Sequence, residues 1–88
     1  MLFDVYACFG NKIRVQLLTC LSDSPKNVTE LVAKCGLAQS AVSQHLSRLK
    51  KAGIVKFSRS GKEVIYQIEN NKIRQVSQLL LDLERELK

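Results

Sequence analysis

Residues 39–55, QSAVSQHLSRLKKAGIV, decide how the rest of the chain reads. Val42, Leu46 and Leu49 stand at i, i+4 and i+7, the spacing of one buried helix face, with Ala41 and His45 flanking the stripe. The opposite face carries Gln39, Ser40, Ser43, Gln44, Ser47 and Arg48, and no carboxylate lies among them. Gly53 stops the helix, and beyond it the hydrophobic period changes from about 3.6 to 2. Val55 and Phe57 alternate with Lys56 and Ser58, then Val64, Tyr66 and Ile68 alternate with Ile65 and Gln67. The segment Arg59-Ser60-Gly61-Lys62 between them has the composition of a hairpin tip.

Upstream, Asn27 or Thr29 caps a two-turn helix, with Glu30 three residues after Asn27 in the manner of a capping box. Val28, Leu31 and Val32 form its apolar side, and Gly36 supplies the left-handed stop. A helix is expected over about 12–21, with Ile13, Leu17, Leu18, Cys20 and Leu21 inward and Lys12, Arg14 and Gln16 outward. The apolar residues Leu2, Phe3, Val5, Tyr6 and Phe9 suit a short first helix over about 2–9. At the other end, Ile73, Val76, Leu80, Leu83 and Leu87 recur at three- and four-residue steps, an a/d-like seam on a helix over about 70–87. The fold class that follows is mainly α, in the order α-α-α-α-β-β-α: a helix-turn-helix followed by a two-stranded antiparallel wing.

The chain has 88 residues, enough for one domain over 1–88 and too few for a separate catalytic lobe. Its core is small, so support from a second copy is expected. The terminal helices carry more apolar surface than one copy covers, which assigns Leu2, Phe3, Tyr6, Ile73, Val76, Leu80, Leu83 and Leu87 to a dimer interface. Three cysteines, an odd and sparse set, speak against a disulfide framework and for a reducing cytoplasm. No stretch approaches the roughly 18 apolar residues of a membrane span, and the first residues lack a signal peptide's basic region.

With 14 Lys or Arg against 8 Asp or Glu, the net charge is +6, which favours a polyanion. Arg48, Lys50, Lys51, Lys56, Arg59 and Lys62 all fall within residues 48–62, a window without Asp or Glu. A membrane-surface helix would instead spread its cations along one face. The charge gathers where the polar helix meets the wing, and double-stranded DNA is the expected partner, with no membrane role. Ser40, Ser43, Gln44 and Arg48 are expected to read major-groove base edges, because Gln pairs with adenine and Ser with several bases or phosphate. Gln39, Ser47, Arg59 and Lys62 are expected to support them at phosphate or in the adjacent minor groove.

The run QSAVSQHLSRLKKAGIV, with Thr29-Glu30-Leu31 and Gly36-Leu37-Ala38 before it and Ser58-Arg59-Ser60-Gly61-Lys62-Glu63-Val64-Ile65-Tyr66 after it, resembles the ArsR/SmtB family of winged-helix repressors. The resemblance reaches from Asn11-Lys12-Ile13-Arg14 to the last helix. It implies a homodimeric bacterial or archaeal repressor that binds an inverted repeat, with the first and last helices at the dimer interface. Members of that family often release DNA when a metal or a redox change reaches the dimer. The family's best-known metal site uses a Cys-x-Cys pair, and Thr29-Glu30-Leu31-Val32-Ala33 stands there without cysteine. Its second site uses Asp and His on the last helix, where residues 71–88 have no His, so no metal and no cofactor are expected. The family's usual N-cap Ser of the recognition helix is replaced by Ala38, so that helix end is expected to be looser or to be capped by Gln39 or Ser40 instead.

His45, the one histidine, reads as a residue at the rim of the core, since no companion ligands accompany it. Cys8 and Cys20 are the candidates for a thiol switch, set against the commoner condition of buried, inert cysteine, which also fits Cys35. Relatives that sense sulfur or oxidants pair cysteines involving the last helix, and none lies there in this chain. A thiol-responsive repressor is therefore one alternative. A winged helix that meets an acidic protein is another, and it predicts no sequence-selective DNA binding. An enzyme is not expected, because no nucleophile triad, carboxylate pair or phosphate loop is present.

Overall fold

A computed structural model describes residues 5–88. Helices α1 (Val5–Phe9), α2 (Lys12–Leu21), α3 (Val28–Cys35) and α4 (Gln39–Lys51) precede strands β1 (Val55–Ser60) and β2 (Glu63–Ile68), and helix α5 (Asn71–Glu86) follows. The order matches the sequence expectation, and the boundaries of α2 to α5 agree within a residue or so, while the expected start of the first helix at about residue 2 lies outside the described residues. Leu2 and Phe3, expected at the interface, lie outside the described residues.

The core forms where α2 crosses the helix-turn-helix. Leu17, Leu18 and Leu21 of α2 meet Leu31 of α3 and Val42, Leu46 and Leu49 of α4, and all seven are fully buried. Ile54, Val55, Ile68 and Ile73 close the core from the wing and α5. Side-chain caps set the helix starts: Asn11, Asn27 and Asn70 each accept from the backbone N–H three residues on. Strand β1 pairs antiparallel with β2, Val55 opposite Ile68 and Ser60 opposite Glu63, across a two-residue turn at Gly61-Lys62. Gly61 has φ +62°, a conformation that only glycine adopts without strain.

Four findings depart from the sequence reading. Arg14, expected outward, is buried to 9% exposure because its guanidinium Nη2 donates 2.8 Å to the Ala7 carbonyl, tying α2 to α1. Ile73, expected at the dimer interface, is 8% exposed and belongs to the core of its own protomer, packed under the wing. The outer stripe of α5 runs instead through Val76, Leu79, Leu83 and Leu87, and Leu79 is 65% exposed. Lys26 forms an isolated antiparallel bridge with Tyr66, exchanging two backbone bonds at 2.9 and 2.8 Å, which anchors the wing to the α2–α3 loop.

The fourth departure concerns cysteine. Cys20 near the end of α2 and Cys35 at the end of α3 form a disulfide, where the composition argued against one. The two helices end side by side, a juxtaposition set by their crossing and not by spacing along the chain. Cys8, the other redox candidate, is fully buried in α1 and takes no part in the bond. Among the described residues, no helix is long and apolar enough to cross a membrane.

Candidate nucleic-acid interface

The interface is built on α3 and α4. A two-way capping box starts α3: the Glu30 N–H donates to Asn27 Oδ1 at 2.8 Å, and the Asn27 N–H donates to Glu30 Oε1 at 2.9 Å. Gly36, at φ +69°, ends α3 in the left-handed region, and three residues later α4 begins. The N-cap of α4 is Ala38, which makes no side-chain cap bond, and neither Gln39 nor Ser40 takes over that role. Val42, Leu46 and Leu49 anchor the helix from below.

All eight residues expected to meet DNA are exposed: Gln39, Ser40, Ser43, Gln44, Ser47 and Arg48 on α4, and Arg59 and Lys62 on the wing. On α4, Ser40, Ser43, Gln44 and Ser47 recur at steps of three and four, so they share one face of the helix. Arg48, Lys50 and Lys51 fill the last turn, where cations complement the helix dipole. The Lys50 ammonium sits 3.9 Å from the Phe57 ring centroid, so the basic end of α4 leans on β1. Phe57 in turn packs across the hairpin on Tyr66, with centroids 6.2 Å apart.

Two features of this region were not visible in the sequence. Asn27 Nδ2 donates 2.9 Å to Glu63 Oε1, so the residue that caps α3 also holds the first residue of β2. The bond joins the first helix of the helix-turn-helix to the wing and draws the wing's carboxylate toward α3. The signal is long-range, and neither residue's neighbours announce it. His45 is half buried at the rim of the core as expected, and the part not visible in the sequence is that its Nδ1 has no hydrogen-bond partner among the described residues. Burial, then the charges of Arg14 and Arg48, push the imidazole below its ordinary pKa, so it is held neutral beneath the DNA-facing surface.

Among the described residues, no group of three or more His, Cys, Asp or Glu converges as metal ligands would.

Two helices joined by a short glycine turn, an acid-free polar helix face and a basic wing define a winged helix-turn-helix DNA-binding regulator. A family model described as "Bacterial regulatory protein, arsR family" matches residues 11–56. The chain belongs to this ArsR family, whose members are DNA-binding transcriptional regulators and not enzymes. The chain is 34% identical over 76 residues to the HTH-type transcriptional regulator KmtR of Mycobacterium tuberculosis, covering 86% of this chain and 58% of KmtR. It is also similar to HlyU of Vibrio cholerae, a transcriptional activator, at 34% identity over 81% of this chain and 66% of HlyU. The chain thus spans less than two thirds of the length of either relative. The solved structure of V. cholerae HlyU superposes with a TM-score of 0.78 at 32% identity, covering 90% of this chain and 86% of that one. The homodimeric winged helix-turn-helix domain Mb0332 of Mycobacterium bovis shares the fold, with a TM-score of 0.78 at 24% identity over 93% of this chain and 76% of the other.

Proposed function

We propose that the chain binds an inverted-repeat operator as a homodimer and represses transcription from it. The observation that carries this reading is the exposed, carboxylate-free face of Ser40, Ser43, Gln44, Ser47 and Arg48, flanked by Arg59 and Lys62 on the wing. Ser40, Ser43, Gln44 and Arg48 read base edges in the major groove, and Gln39, Ser47, Arg59 and Lys62 hold the backbone. A protein with this partner works where the chromosome is, in the cytoplasm.

The dimer reading rests on the apolar surface shared by α1 and α5. Val5, Tyr6, Val76, Leu79, Leu83 and Leu87 are all exposed, Tyr6 to 87%. Tyr6, Val76 and Leu80 also line a recess of about 360 Å³ with Val5, Phe9 and Gly10. An apolar face of this extent on a small basic protein calls for cover, and the homodimeric relative offers the precedent. Two-fold symmetry then sets the two copies of α4 about 34 Å apart, one turn of B-DNA.

Mobility shifts against salt test the division of labour. Gln44→Ala relaxes base preference by about 1–3 kcal/mol at one position. Lys62→Ala weakens binding to every duplex and flattens the salt slope by about one unit. Equal affinity for all duplexes by the unaltered chain would favour a protein-binding wing over an operator reader. A promoter fusion measured with and without the chain decides between repression and the activation ascribed to HlyU.

A further inference from the structure

The disulfide between Cys20 and Cys35 closes a loop at the base of the DNA-reading unit. Cys35 is the last residue of α3, directly before Gly36 and the turn into α4, while Cys20 belongs to the core-forming helix α2. Their Cα atoms lie 6.7 Å apart, within the span that a disulfide bridges without moving the backbone. Both residues are half buried, and they line a surface recess of about 230 Å³ with Gln16, Thr19, Lys34 and Leu81. A small thiol or disulfide can therefore reach the pair from solvent.

A second tie crosses the same corner. Asp23 binds Lys26 and, at 2.9 Å, Lys34, and these two cations hold its carboxyl well below the usual carboxylate range. Leu31 is fully buried as well, so α3 is also held by contacts other than the covalent tie. What the disulfide adds is rigidity at the end of α3, just where the following helix has no side-chain cap of its own.

We propose that Cys20 and Cys35 are a reversible modification site, a dithiol–disulfide pair that exchanges with low-molecular-weight disulfides and sets how rigidly the helix-turn-helix presents α4 to DNA. The proposal rests on the operator-binding reading above. In the compartment that holds DNA, permanent disulfides are rare, and those that form are usually transient or redox-sensing. In closing, one protein thiolate attacks a small disulfide RSSR and expels one RSH, leaving a mixed disulfide on that cysteine. The other cysteine's thiolate then attacks the protein sulfur of the mixed disulfide and expels the second RSH. Two protein thiols are oxidised, one RSSR is reduced to two RSH, and the two protein protons leave on those thiols. Closure holds the reading helix in its assembled position, so the oxidised form meets less ordering cost on DNA and binds more tightly.

The test uses the full chain equilibrated in mixtures of reduced and oxidised glutathione, quenched in acid, alkylated and mapped by mass. The expected result is a bond between Cys20 and Cys35 that opens and closes within the accessible glutathione range, with Cys8 alkylated only after denaturation. The DNA probe is a duplex enriched from a random-sequence pool by the reduced chain. The oxidised form binds it at least about threefold more tightly, as a smaller ordering cost requires, and melts about 10 °C or more higher, as closing a loop of this length predicts. Cys20→Ser and Cys35→Ser match the reduced form and ignore glutathione. A pair that stays bonded or stays open at every ratio, or equal affinity of the two forms for the enriched duplex, overturns the proposal and leaves operator binding intact. If neither form enriches any duplex, the operator reading itself fails.

Discussion

At the scale of single residues, His45 shows how the site separates what faces DNA from what lies beneath it. Its neighbours in sequence, Gln44 and Ser47, are exposed, while the imidazole is half buried near Arg14 and Arg48. Its pKa is held below the ordinary 6.5, so the unfolded chain takes up the proton first as pH falls. Stability from this group is complete above about pH 6.5 and is lost as pH falls through the lower folded value. Denaturant unfolding between pH 7.5 and 5 is expected to show stability falling toward acid, and His45→Gln to remove much of that slope. An unchanged slope in the variant would place the acid sensitivity elsewhere. The sequence disclosed the rim position of His45, because it flanks the stripe of Val42, Leu46 and Leu49. It did not disclose the burial of Arg14, which depends on how α1 lays the Ala7 carbonyl within reach.

At the scale of elements, local pattern went far. The helix periods, the Asn27–Glu30 box, the Gly36 stop and the change of period after Gly53 all act within a few residues, and each appears in the structure. Contacts between elements were not legible in the same way. The Lys26–Tyr66 pairing, the Asn27–Glu63 bond and the Cys20–Cys35 disulfide join segments whose approach is set by helix crossing. Asn27 joins both kinds of interaction, and its variants separate them. Asn27→Ala loses the cap and the Glu63 bond and is expected to cost about 1 kcal/mol in thermal or denaturant unfolding. Asn27→Asp keeps a good cap but sets a second carboxylate against Glu63, so stability is largely kept while the wing loosens. Weaker DNA binding by Asn27→Asp at near-normal stability is the expected pattern. Binding by Asn27→Asp identical to that of the unaltered chain would show that the Lys26–Tyr66 bridge fixes the wing without the Glu63 bond.

At the scale of the whole molecule, a +6 chain of 88 residues combines a polar, basic DNA-facing side with the apolar face of α1 and α5. The three- and four-residue steps on α5 name Val76, Leu83 and Leu87, which are exposed, but they also take in Ile73, which packs into the core, and pass over Leu79, because spacing alone does not show where the helix axis meets its own core. The two positions should now respond differently. Leu79→Glu is expected to shift sedimentation toward monomer while leaving far-UV circular dichroism intact. Ile73→Ala leaves a hole in the core and costs about 2–5 kcal/mol in unfolding, with dissociation only as a consequence. A Leu79→Glu protein that sediments as the unaltered chain does would remove α5 from the interface.

The central claim, that two copies of α4 read one symmetric operator, is tested most directly by selection from a random duplex pool with the purified chain, followed by sequencing. The account predicts enrichment of a two-fold symmetric site whose half-site centres lie about 10–10.5 base pairs apart, and loss of base preference at one position of each half-site with Gln44→Ala. A pool that stays random, or an enriched site without two-fold symmetry, would contradict it.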